Sequence, residues 1–152
     1  MSDAISEDFD IPQLAVPIIF RPRPLSLPED LRPSWRIGLL VLLLSACCRG
    51  AKSSRAKLHV LAWGFRTAQS QVELQAAMKG NLNPRALIVR FDPFLDRALD
   101  FAIGERLIQI NGGKSVSLTP TGKALAAEIQ KSDEVFKNEK RFANEIRLGV
   151  TE

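Results

Sequence analysis

The sequence predicts a mainly α fold with one β-hairpin, and three observations carry that prediction. An aliphatic run from residue 35 leaves almost no polar face. Further along, apolar residues recur at spacings of three and four, the period of a helix with one buried side. Late in the chain, two short strand patterns flank Asn111-Gly112-Gly113, residues that accept the positive φ of a tight turn. Helix, hairpin, helix is the order of a winged helix-turn-helix. The expected architecture is therefore a winged helix-turn-helix-like domain with a β-hairpin wing, a proline-rich N-terminal arm and a C-terminal helix. A chain of 152 residues, 45% hydrophobic and 25% charged, suits one domain with a real core.

Residues 1–33 form the arm in this reading, and 34–152 the domain. Six of the nine prolines fall in the arm (Pro12, Pro17, Pro22, Pro24, Pro28 and Pro33). Proline removes backbone donors and disfavours helix in the residue before it. Leu14, Val16, Ile18, Ile19 and Phe20 give this segment apolar anchors, on its own domain or on a partner. The chain starts acidic, with no basic region and no apolar region of a signal peptide.

The first helix is expected from Ser34 to Cys48, with Pro33 and Ser34 as its start signal and Gly50 as its stop. Its apolar stretch, Ile37 to Cys48, is flanked by Arg36 and Arg49 and is shorter than the roughly 18 residues that span a bilayer. It reads as a central core helix of a cytoplasmic protein. Ser53 or Ser54 would cap a second helix to about Thr67, with Leu58, Leu61, Ala62 and Phe65 on one side. A third covers about Ser70 to Met78, and the Gly80-Asn81-Leu82-Asn83-Pro84 stretch breaks it. Residues 85–92 are ambiguous between strand and helix. Asp92 then caps, and Pro93 opens, a helix to about Ala102, with Phe94, Leu95, Leu99 and Phe101 or Ala102 on its buried side. Leu107 to Ile110 and Lys114 to Leu118 are the hairpin strands. Thr119-Pro120 starts the last segment, read as helical from Gly122 to about Leu148, with Leu125, Ile129, Phe136, Phe142 and Ile146 as an interrupted apolar stripe.

Catalytic patterns are not found. His59 is the single histidine, and a lone helical histidine is more often packed than catalytic. Cys47 and Cys48 are adjacent, so they read as two small buried thiols in a reducing compartment and offer no paired zinc ligands. Gly112-Gly113-Lys114-Ser115 lacks the upstream glycine of a phosphate loop and reads as a hairpin turn. The expectation is a protein that is not an enzyme and takes no cofactor and no metal.

Charge is distributed unevenly. The net charge is +4, and from Leu31 to Val72 there is no Asp or Glu. Arg49, Lys52, Arg55 and Lys57 lie close enough in sequence to share one edge and contact a DNA backbone non-specifically. The helix before a winged-helix hairpin normally enters the major groove. Here that stretch carries Asp92, Asp96, Asp100 and Glu105 against Arg97 and Arg106, which disfavours base reading.

Across the chain, Phe20-Arg21-Pro22-Arg23-Pro24, then Ser34-Trp35-Arg36-Ile37, then Lys57-Leu58-His59-Val60-Leu61-Ala62-Trp63, and finally the hairpin with its Leu118-Thr119-Pro120-Thr121-Gly122-Lys123 corner resemble the small middle component of ABC three-component, Lamassu-type antiphage defence systems. The resemblance covers roughly residues 17–130. It implies a non-enzymatic accessory subunit bridging an SMC-like coiled-coil ATPase and an effector nuclease, with ATP hydrolysis and DNA cutting left to those partners. The candidate partner-facing residues are Ile18, Phe20 and Arg21 in the arm, Asn111 and Lys114 in the hairpin, and Phe136 and Phe142 in the terminal segment. The alternative reading is a winged-helix transcription regulator binding DNA as a homodimer.

Overall fold

The computed structural model describes residues 28–149, except 88, 90 and 91. Six helices and a small antiparallel sheet make up this part of the chain. Helix α1 spans Pro33–Cys47, strand β1 Lys52–Ser54, α2 Arg55–Gly64, α3 Ala68–Met78 and α4 Pro93–Gly104. Strands β2 and β3 are Ile108–Asn111 and Ser115–Leu118, followed by α5 Pro120–Lys131 and α6 Lys137–Gly149.

Helix α1 is the axle of the fold. Residues 38–44 are all buried, so no polar face is left to meet water. Helices α2, α4, α5 and α6 all pack on it. Each fully buried leucine contributes about 2 kcal/mol of transfer free energy, and Leu40, Leu42, Leu43 and Leu44 are completely covered. Gly38 permits one close approach: a Cβ there would lie 2.7 Å from the Phe136 ring.

The sheet order is β1-β3-β2. Ile108 faces Leu118, and Ile110 faces Val116. Alternation puts Ile108, Val116 and Leu118 into the core. Gly112 and Gly113 turn the hairpin at φ 56 and 69, which glycine adopts without penalty. Strand β1 was not expected from sequence. Its three residues, Lys-Ser-Ser, have no apolar alternation, and only pairing with β3 makes them a strand.

Caps set most boundaries. The Ser54 hydroxyl accepts the Lys57 N–H, and Thr67 and Ser70 form a reciprocal capping box. Asp92 caps α4 by accepting from the Phe94 N–H, and Thr119 caps α5 by accepting from the Gly122 N–H. The second helix ends at Gly64 rather than Thr67, because Thr67 is extended as the N-cap of α3, and Gly64 lets α3 approach: a Cβ there would meet Leu74 Cδ2 at 2.2 Å.

Two expectations are corrected. The terminal segment is two helices, not one. Residues 132–136 break it, with the Ser132 hydroxyl accepting from the Val135 N–H and Phe136 at φ 54. The Lys140 ammonium closes the break by donating to the carbonyls of Ile129 and Ser132 at the end of α5. This turn brings α6 back onto α1 and α3, burying Phe142, Ala143 and Ile146. On α4, Leu95, Ala98, Leu99 and Ala102 face the core, whereas Phe94 is 61% exposed and Phe101 52% exposed. Ala98 and Ala102 let the backbone come close to α1, and that rolls both phenylalanines outward. The ambiguous stretch resolves partly, as a short 3₁₀ turn at Pro84–Ala86.

Candidate interaction surfaces

The acids of α4 are the first correction of function. At 100° per residue, Asp92, Asp96 and Asp100 fall on one stripe spanning about 80°. That stripe is turned toward α1 and α2. Asp92 Oδ2 accepts from Arg36 at 2.6 Å, Asp96 Oδ1 lies 3.2 Å from His59 Nε2, and Asp100 Oδ1 lies 3.4 Å from Arg55. Asp92 and Asp96 therefore tie α4 to α1 and α2, whereas Asp100 and Glu105 stay open to solvent. Sequence counting missed this because net charge along a helix carries no information about which side each carboxylate takes.

The three pairs differ in weight. Arg36 and Asp92 have side chains only 10% and 14% exposed, and Arg36 also sits 5.5 Å over the Phe94 ring. Burial works against ionisation of Asp92. The hydrogen bond and charge of Arg36, with the Phe94 N–H and the charge of Arg66, outweigh it and hold the carboxyl below the usual aspartate range. The Arg55–Asp100 pair is open to solvent and contributes little. Arg36 had not been singled out from sequence.

The four residues of the expected basic edge lie on consecutive elements, and one of them is paired with α4. Arg49 lies in the turn after α1, Lys52 opens β1, and Arg55 and Lys57 lie in the first turn of α2; all four are exposed. Gly50 and Ala51, at φ 67 and 53, make the sharp turn between Arg49 and Lys52. Arg55 points to Asp100, which leaves Arg49, Lys52 and Lys57 as cations with no ion-pair partner among the described residues. A cleft of about 520 Å³ beside Arg49 is walled by residues 45–51 and by Ile146 and Arg147 of α6. Arg147 thus joins the edge from 98 residues away, a neighbour only the folded chain reveals.

Cys47 and Cys48 are free thiols on the inner wall of that cleft. Burial, then the neighbouring Cys48, push the Cys47 thiol up to about 12, against the weaker opposing influence of Lys57. Burial likewise raises Cys48. Both stay protonated at neutral pH, and a thiol in that state is a poor nucleophile. No group of three His, Cys, Asp or Glu side chains able to hold a metal occurs among the described residues.

The candidate partner residues separate into three sets. Ile18, Phe20 and Arg21 lie outside the described residues. At the hairpin, Lys114 is exposed at the tip, whereas the Asn111 amide is half-buried and donates to the Ser117 hydroxyl at 2.9 Å. Phe142 is corrected: it is 4% exposed and stacks edge-on against Phe65 at 4.8 Å, so the chain's own core consumes it. Phe136 is half-buried, 5.7 Å from the Trp35 ring. Trp35 and Phe136 line a cleft of about 510 Å³ with Glu29, Arg32 and Val135, where the described chain begins. No helix among the described residues is long and apolar enough to cross a membrane. No protein-family model, curated protein or solved structure matches this chain.

Proposed function

We propose that this chain is a non-enzymatic adaptor with a winged-helix-like body, working in the cytoplasm. In this reading it bridges an SMC-like coiled-coil ATPase and an effector nuclease in an antiphage or anti-plasmid defence complex. The body is α1, β1, α2, α4 and the β2–β3 hairpin, with α3 inserted before α4 and α5–α6 closing the back. The sheet order β1-β3-β2 suits that architecture. The observation that carries the reading is the orientation of α4. Where a DNA-reading helix would present polar side chains, α4 presents Phe94 and Phe101 to solvent and turns Asp92 and Asp96 inward. Exposed aromatic residues with a nearby arginine are the composition of a protein-binding face rather than of base readout. The nature of the partners rests on the resemblance of the Trp35, Lys57–Trp63 and Leu118–Lys123 segments to the defence components.

A tagged pull-down from the native operon, followed by mass measurement of the intact assembly, tests the proposal. Co-elution of a large coiled-coil ATPase and an effector at fixed stoichiometry is the expected result. Recovery of the chain without either partner refutes it.

The DNA-binding regulator is the second reading, and one observation favours it. With Asp92 held by Arg36 and Asp96 turned to His59, the helix repels phosphate less than its composition suggested, and Arg49, Lys52 and Lys57 supply exposed cations. Selective binding of the purified chain to its own promoter would promote this reading over the adaptor.

A further inference from the structure

The outward side of α4 carries a pattern that is complementary to itself. Phe94, Arg97 and Phe101 are exposed, as is Glu105 at the helix C-cap, and at 100° per residue the four fall within an arc of about 80°. Neither Arg97 nor Glu105 has an ion-pair partner among the described residues, although each aspartate of the same helix faces an arginine or His59. The two unmatched charges are opposite in sign, and each stands four residues from Phe101. Such a row, positive, aromatic, negative, meets its own requirements when it is reversed.

We infer that α4 is a homodimerisation face, its occupant the α4 of a second copy of this chain. The two helices run antiparallel about a two-fold axis beside Phe101. The two Phe101 rings meet at the axis, Arg97 faces Glu105 of the second copy, and Glu105 faces Arg97 of the second copy. An isologous interface requires each patch to be its own complement, and this spacing satisfies that requirement. A parallel pairing would instead place like charges together. Toward its ends the interface extends to Phe94 of each copy, 61% exposed. Helix α4 has 12 residues and is about 18 Å long at 1.5 Å per residue. That length gives a contact at the small end of specific interfaces, so the dimer should form in the micromolar range. The inference rests on the reading of the aromatic α4 face as a protein-binding face and names its occupant; a monomer would return that face to the hetero-partners, whereas the absence of those partners from the pull-down would leave the dimer standing.

Sedimentation equilibrium on the full chain, from about 1 to about 300 µM, reads the association directly. A reversible monomer–dimer equilibrium is expected. Arg97→Glu and Glu105→Arg should each weaken it about tenfold or more, the double variant should return to within about threefold of the parent, and Phe101→Glu should leave a monomer. All three side chains are exposed, so thermal unfolding of each variant should stay near that of the parent. A monomer at every concentration overturns the inference and assigns the aromatic face to another occupant, either the chain's own N-terminal segment or a different protein. A dimer indifferent to Phe101→Glu overturns it as well. Loss on Phe101→Glu without rescue by the paired charge exchange overturns the antiparallel register.

Discussion

Single residues in this chain do work that composition cannot assign. Asp92 is both a helix cap and the anionic half of a covered ion pair, so Asp92→Asn separates the roles, because asparagine caps nearly as well but removes the carboxylate charge that faces Arg36. Breaking such a pair by removing one member costs about 3 kcal/mol, and a loss of that order is expected in urea unfolding at pH 7. The pH dependence follows from the direction of the shift. The folded-state carboxyl lies below its ordinary value of about 3.9, so its stabilisation is full above that value and vanishes as pH falls through the lower, folded-state value. The difference in melting temperature between parent and Asp92→Asn should therefore be constant from pH 5 to 7 and shrink below pH 4. A difference that grows in acid would contradict the Arg36 pairing. Gly122 makes a sharper case. A Cβ there would lie 2.0 Å from the Leu107 carbonyl oxygen, a backbone atom with no rotamer to escape through. Gly122→Ala should cost about 3 kcal/mol, at the upper end of overpacking, despite alanine's better helix propensity, and chemical denaturation would show it.

At the scale of elements, what the sequence made legible was what local chemistry decides. Helix α1, the Asp92-Pro93 start of α4, the Asn111-Gly112-Gly113 turn and the Thr119-Pro120 corner follow from capping, ring geometry and positive φ, each settled within a few residues. What escaped was decided at a distance. Strand β1 exists because β3 offers it a partner, and the break between α5 and α6 exists because α6 must reach α1 and α3. Of the terminal apolar stripe, Phe136 and Phe142 were assigned to a partner, since periodicity cannot say whose helix covers them. Phe142→Ala tests that correction. Removing a buried phenylalanine costs about 3–5 kcal/mol, so a drop of that order in unfolding free energy is expected. A variant as stable as the parent would show that Phe142 faces outward after all. The same blindness applied to α4, where a 100° period identifies a stripe of aspartates but not the arginines and histidine waiting 37 to 56 residues upstream.

For the whole molecule, the arrangement separates charge from apolar surface. Carboxylates of α4 cancel part of the basic stretch from inside, the aromatic face of α4 opens on one side, and Arg49, Lys52 and Lys57 are left as a compact cationic end with Arg147 nearby. The regulator reading uses that end to meet a nucleic-acid backbone, the adaptor reading is compatible with the same non-specific contact, and the contact's strength is measurable under either. Three cations neutralising three phosphates on duplex DNA give a slope of log affinity against log salt of about −2.7. Lys52→Glu and Lys57→Glu should each make the slope shallower by about 0.9 and weaken binding uniformly across DNA sequences. Arg55→Ala should change it less, because the guanidinium already leans on Asp100, and Asp100→Asn should strengthen binding by releasing Arg55. Fluorescence anisotropy with a labelled duplex of arbitrary sequence, titrated at 50 to 200 mM salt, reads all four variants on one scale. An unchanged slope in the two lysine variants would mean that the edge is not a phosphate site, and the cleft between α1 and α6 would then have to be explained by a protein ligand.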